Sequence, residues 1–214
     1  MSELPPVSAV ADVLALWGSD GWLTPPLRPV VAAATPRLAR VRTVELQPAT
    51  AGRGLAPVYD LLSSDLAGDA LVVSAPGIDG AVWGEILATA AHGARAAAVL
   101  VDGAVRDAPA MTVLGLPVYA AEQHVVGPNG RAHVVATDAA LAIGSTAVDA
   151  GDHVLVDATG AVRITAADLA AVLDAATRYA AAEEEVVAAL ADGERLDTAY
   201  LRKKAIVDEL ARGR

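Results

Sequence analysis

The stretch from Trp83 to Asp107, WGEILATAAHGARAAAVLVDGAVRD, constrains the fold more than any other part of the chain. Ile86, Leu87, Ala90, Ala91 and Ala94 recur at helical spacing. The apolar run Ala97 to Val101 then follows without alternation, between Gly93 and Gly103. Such a run is expected of a parallel strand covered on both faces, so the stretch reads as a helix feeding a buried strand that Asp102-Gly103 turns at its carboxyl end. Ligands of open α/β sheets gather at that end, which makes Arg106 and Asp107 the residues placed to handle a small molecule.

The rest of the chain fits this unit into an α/β domain. Residues 8–17 read as a helix with Ser8 as its cap, and the proline-rich segment 21–36, with its Pro25-Pro26 pair, reads as extended loop. A strand over 37–47, a proline-opened helix over 57–66 and an apolar strand over 69–74 follow. The loop Ala75 to Gly80 is expected to lead into the helix of the opening stretch. Its backbone N–H groups would suit an anion, or its glycines only shape a turn. It lacks the glycine spacing of a dinucleotide or nucleoside triphosphate loop. One or two helical turns over 109–114 and a strand over 116–120 complete a βαβ middle. Short β segments over 131–136, 139–143, 147–148, 153–156 and 161–164 then predict an antiparallel later portion. An alanine-rich helix over 166–191 and a second from about 196 to 210 close the chain. They are expected to find little to bury against in a small domain, which suggests packing between subunits.

Composition limits the chemistry. There is no cysteine, so any metal must be held by oxygen or histidine, and a hard cation such as Mg²⁺ or Mn²⁺ is the default. The net charge of -10 argues against a nucleic-acid partner, and the short basic cluster Arg202-Lys203-Lys204 reads as a solvated helix face. No apolar run approaches the roughly 18 residues of a membrane span, and MSELPPVSAV lacks the features of a signal peptide, so a cytoplasmic protein is expected.

The runs GEILATAA, VDGAVRD, LGLPVYA and DAGDHVLVDATGAV, in this order, resemble the family of RraA, the regulator of RNase E activity, and of the 4-hydroxy-4-methyl-2-oxoglutarate / 4-carboxy-4-hydroxy-2-oxoadipate aldolases. The resemblance implies an α/β fold, an αββα sandwich of the phosphohistidine-domain-like (swivelling) type with mixed sheets and, here, C-terminal helices. It also implies a homotrimer or homohexamer with sites between subunits. The RraA-like α/β domain is taken as 1–165 and the C-terminal helical extension as 166–214, packing on the same domain or on a neighbouring subunit. Enzymatic members are class II, divalent-metal-dependent pyruvate aldolases that also decarboxylate oxaloacetate.

The family signature is an acid, twenty residues, Arg-Asp, two residues and a further acid. Glu85, Arg106 and Asp107 supply its first three members, and Ala110 stands where the last acid belongs. The resemblance therefore implies a carbon–carbon lyase acting on a small carboxylated substrate, weakened by Ala110. Asp107 is the expected metal ligand, for Mg²⁺ or Mn²⁺, and Arg106 the carboxylate clamp. Gly84, Glu85, Ile86 and Leu87 supply helix-start amides, and Glu85 a water-mediated proton relay. Two other readings stay open: an enzyme of this fold recruited to a metal-independent conversion, and a noncatalytic protein regulator.

Each residue also has a quieter role. Arg106-Asp107 could be a surface ion pair and Glu85 a partner of the helix dipole. Glu122, His124 and His133 could replace the missing ligand or act as a base, or the histidines could be loop residues without a role. His92 and His153 read as structural.

Overall fold

The structure is a computed structural model that describes residues 3–23, 26–49 and 54–212. In chain order its elements are α1 (Val7–Leu16), β1 (Arg28–Val31), β2 (Arg37–Pro48), α2 (Ala56–Leu62), β3 (Ala70–Ser74), β4 (Ala81–Trp83), α3 (Glu85–Gly93), β5 (Ala98–Val105) and α4 (Ala108–Leu114). There follow β6 (Val118–Gln123), β7 (Ala132–Thr137), β8 (Leu141–Ile143), β9 (Thr146–Val148), β10 (His153–Val156), β11 (Ala161–Ile164), α5 (Leu169–Ala191), α6 (Leu196–Ala199) and α7 (Leu201–Arg212).

The main sheet runs β1-β6-β5-β3-β2-β10-β11, with β4 added to β5 and β7 to β2, while β8 and β9 form a separate ribbon. Its middle pairs are parallel and its outer pairs antiparallel, as the mixed α/β reading expects. Strand β2 splits the sheet. One of its edges carries β3, and the other carries β10 along Arg37–Arg40 and then β7 along Val44–Pro48.

The unbroken apolar run of β5 is explained by cover on both sides. Val99 and Val101 pack with Leu61, Leu62, Leu87 and Ala91 of α2 and α3, whereas Ala98 and Leu100 pack with Ile143 and Val148 of the ribbon. Helices cover one face and a β ribbon the other. Three polar side chains on β2, β3 and β5 tie that ribbon down. Thr43 Oγ1 donates to Ala139 O at 2.6 Å, Ser74 Oγ donates to Ala142 O at 3.0 Å, and Asp102 accepts a backbone N–H from Gly144.

Several expectations are corrected. Asp102-Gly103 does not end β5, which continues to Val105 with a bulge between Val101 and Ala104. Gly103 lets it pass: a Cβ there would lie 3.0 Å from Ala75 Cβ and 3.1 Å from Ala75 O. The loop Ala75–Gly80 does not enter a helix. It leads to β4, so Trp83 belongs to a strand and the helix begins at Glu85. Within the proline-rich segment, Arg28–Val31 forms an edge strand antiparallel to β6, a position that tolerates Pro29; Pro25 lies outside the described residues. Ser8 caps nothing, because the first N–H of α1, that of Val7, donates instead to Asp157 Oδ2 at 3.0 Å. Finally, α5 does find a face within the chain. Val172, Ala175, Ala176 and Tyr179 pack with Val10 and Val13 of α1, Leu155 and Ile164 of the sheet, and Leu210 of α7.

Candidate active site

The spacing of Glu85 and Arg106 has a geometric meaning. The chain runs out along α3, returns along β5, and arrives beside its own starting point. The Arg106 N–H donates to Trp83 O at 3.0 Å, stitching the tip of β5 to the residue before Gly84. The helix start and the Arg-Asp pair thereby share one small volume.

Gly84 makes that closeness possible. Its backbone is extended, so the requirement is space rather than conformation. A Cβ on Gly84 would lie 2.8 Å from Asp107 Oδ2 and 3.0 Å from Arg106 Cγ. Across the guanidinium, a Cβ on Gly127 would lie 3.1 Å from Arg106 Nη1. Arg106 is thus flanked by two positions whose lack of a side chain gives its stem and guanidinium their room.

Asp107 adopts a left-handed conformation, φ 61 and ψ 34, which is uncommon outside glycine and which Asp tolerates better than most residues. Its carbonyl accepts the Ala110 and Met111 N–H groups and so starts α4, but its side chain does not cap that helix. The carboxylate turns back instead. Oδ2 lies 3.4 Å from the Glu85 N–H and 3.4 Å from Arg106 Nε, both long for a formed hydrogen bond. The group is held near the helix start without being saturated.

Two cavities share the pair. One, of about 370 Å³, lies among α2, β4 and the first turns of α3, with Gly84, Ile86 and Leu87 in its wall beside Arg106 and Asp107. The other, of about 500 Å³, is bounded by Val105–Pro109, Gln123, His124 and Val125. Trp83 lines the first cavity, and its buried indole N–H has no acceptor among the described residues. Glu85 is exposed and lines neither cavity, so the fold brings its amide rather than its carboxylate to Asp107.

The three residues considered as replacements for the missing acid are not brought together. His124 lines the second cavity. Its Nδ1 accepts the Val126 N–H at 3.0 Å, and its Nε2 is 3.9 Å from Asp79 Oδ1; Asp79 in turn takes Arg131 at 2.7 Å. His133 lies on β7 opposite Gln47, with its Nδ1 buried and unpartnered, and Glu122 is exposed on β6 opposite Ala104. His92 is exposed in the last turn of α3, and His153 pairs with Arg40 and Ile164 inside the sheet. Among the described residues no three His, Asp or Glu side chains converge on a metal site. The donor set is a single carboxylate, Asp107, with a methyl group at Ala110. That fits a magnesium-like cation that keeps most of its waters, and does not fit an all-protein cage.

Sequence reasoning did not single out Gly127, Trp83 or the α2 wall of the first cavity. No motif in the chain marks Gly127 as a neighbour of Arg106.

Among solved structures, an uncharacterized protein from Pseudomonas syringae pv. tomato str. DC3000 superposes with a TM-score of 0.79 at 23% identity, over 91% of this chain and 92% of that one. Streptomyces coelicolor RraAS2, described as an unusual member of the RNase ES inhibitor RraA protein family, matches at 0.72 and 24%, over 83% and 89%. The RNA-processing inhibitor RraA from Thermus thermophilis matches at 0.59 and 24%, over 72% and 91%. These likenesses establish the mixed α/β fold. At the level of sequence, residues 7–163 match the RraA-like family, described as Aldolase/RraA, and so span α1 through β11 with the whole of the Glu85–Asp107 unit. The chain belongs to the RraA-like family.

Proposed function

We propose that the protein is a carbon–carbon lyase acting on a small 2-oxo acid, of the pyruvate aldolase or oxaloacetate decarboxylase type. One observation carries the reading: Arg106 and Asp107 line the same cavity as Gly84, Ile86 and Leu87 at the start of α3. The first-turn N–H groups of Ile86 and Leu87 have no acceptor within the helix, and the positive end of its dipole favours an anion there. Arg106 takes the substrate carboxylate through two parallel hydrogen bonds, which its planar fork matches.

Cleavage leaves negative charge on the 2-oxo oxygen. The amides and the guanidinium stabilise that charge in place, because they are already oriented when it develops. Asp107 would hold Mg²⁺ or Mn²⁺ through its one carboxylate, and the cation would supply the electron sink for the enolate. Glu85, exposed at the start of α3, would reach the site only through the water that returns a proton to the pyruvyl carbon.

The test is pyruvate release from oxaloacetate and from 4-hydroxy-4-methyl-2-oxoglutarate, with Mg²⁺ or Mn²⁺ and after chelation. Metal-dependent turnover of at least one, abolished by Arg106→Ala, is expected; no turnover of either, nor of the monocarboxylate 4-hydroxy-2-oxopentanoate, under any condition overturns the reading. A second reading, metal-independent conversion of a carboxylated substrate, is favoured by the methyl group of Ala110. It would be selected by activity that survives Asp107→Ala but not Arg106→Ala. The described roles of the Streptomyces and Thermus proteins support a third, a noncatalytic regulator, which requires inhibition of an RNase E-type nuclease without turnover.

The reading includes the αββα swivelling sandwich and a cytoplasmic homotrimer or homohexamer. Val125, which lines the second cavity with Arg106 and Asp107, is 88% exposed, apolar surface that suits a subunit junction. Solution mass tests the oligomeric state. The family match ends at residue 163, which supports treating residues 166–214 as a helical extension.

A further inference from the structure

We infer that the natural substrate of this site carries a single carboxylate and an apolar tail. It is a 4-hydroxy-2-oxo acid whose C4 bears an aliphatic or aryl group. The inference rests on the lyase reading above and concerns what lies beyond the reacting carbons.

Away from Arg106 and Gly84, the wall of the first cavity is made by Leu55, Tyr59 and Leu62 on one side and Ile86, Leu87 and Ala90 on the other. Gly84 to Ala90 is about 9 Å of helix rise, so an acid anchored at the helix start extends over this aliphatic wall for a tail of several carbons. Among the described lining residues Arg106 is the single cation. Ser63 offers no free donor, since its Oγ donates to Tyr59 O at 2.8 Å. Past Ser63 and Ala90 the groove continues to Arg95, but that guanidinium is already held by Asp65, with Nε donating to Oδ1 at 2.9 Å. Among the described residues a second carboxylate therefore meets hydrocarbon and no free cation, which costs free energy, whereas a hydrocarbon tail gains by leaving water.

The reaction balances without a redox partner. The C3–C4 bond breaks and its electron pair passes to C3 as the pyruvate enolate. The C4 hydroxyl loses its proton to water as the carbonyl forms, and C3 takes up one proton. The products are pyruvate and an apolar aldehyde, or a ketone where C4 is disubstituted.

The test is calorimetric titration of the full-length protein, with Mg²⁺ present, using pyruvate, 4-methyl-2-oxopentanoate, phenylpyruvate and 2-oxoglutarate as probes. The two apolar acids should bind about tenfold or more tighter than pyruvate, as partial burial of the added carbons requires, and 2-oxoglutarate no tighter than pyruvate. Tyr59→Arg, at a half-exposed position that tolerates substitution, should raise 2-oxoglutarate affinity severalfold by placing a cation at the tail end. Binding of 2-oxoglutarate at least as tight as that of 4-methyl-2-oxopentanoate, or its indifference to Tyr59→Arg, overturns the inference and leaves the lyase reading standing. If none of the four acids binds, both fall together.

Discussion

Gly84→Ala should separate the catalytic geometry from the stability of the fold. The new methyl group would be placed 2.8 Å from Asp107 Oδ2, about 0.6 Å inside an ordinary 3.4 Å contact, and 3.0 Å from Arg106 Cγ. The backbone of Gly84 is extended and suits alanine, so nothing is lost in φ and ψ. The nearest obstruction is the far end of a side chain that is 41% exposed, and it can rotate away. The stability cost should therefore stay near 1 kcal/mol, the low end of overpacking, or about 2–4 °C in Tm for a chain of this size. The site should suffer far more. Displacing the Asp107 carboxylate and the Arg106 stem by a fraction of an ångström spoils a constellation whose alignment sets the barrier, and a loss of about 100-fold in kcat/KM is expected. Thermal unfolding followed by circular dichroism reads the first quantity, and pyruvate release the second. Activity within twofold of the parent would refute the argument that this glycine holds the site together. So would a collapse in Tm with activity per folded molecule retained.

Further outcomes follow from the same geometry. Arg106→Lys keeps the charge but loses the planar fork, so 2-oxo acid affinity measured by calorimetry should fall about tenfold or more. Asp157→Ala removes the acceptor of the Val7 N–H at 3.0 Å and of the Thr159 N–H at 2.7 Å, and should cost about 2 kcal/mol in urea unfolding, with the site unaffected. Asp102 is 8% exposed, and burial pushes its carboxyl above the usual carboxylate range, partly opposed by the Gly144 N–H. Its contribution to stability is therefore fully present below the ordinary carboxylate pKa and is lost as pH rises through the raised value. Asp102→Asn should gain on the parent protein in urea melts as pH rises from about 4 to 7. A constant difference between the two across that range would contradict the burial argument.

The parts of this molecule that were legible in the chain are those whose physics is local. The α3–β5 unit shows itself because a helix with one buried stripe and a strand with two buried faces leave different periods in the same sequence. The long α5 and the hairpins after Arg131 are legible for similar reasons. The strand β1 was not, because prolines 29 and 36 read as loop until an edge position beside β6 makes Pro29 acceptable. Nor was the length of β5: Gly103 is a stop signal by composition, and a means of passing Ala75 only once β3 lies beside it.

At the site the division is the same. Sequence by itself determined that an Arg-Asp pair follows a buried strand, twenty residues after an acid at a helix start, and that an alanine occupies the next acidic position. It could not determine that Asp107 is left-handed and turns its carboxylate toward α3, or that Gly84 and Gly127 flank the guanidinium. It also left unseen that the exposed Glu85 contributes an amide and that α2 supplies an apolar wall. Those features arise where segments remote in the chain meet, here 84 beside 107 and 106 beside 127, with 59 and 86 lining one cavity. Only the assembled sheet decides which of these segments come within a few ångströms of one another.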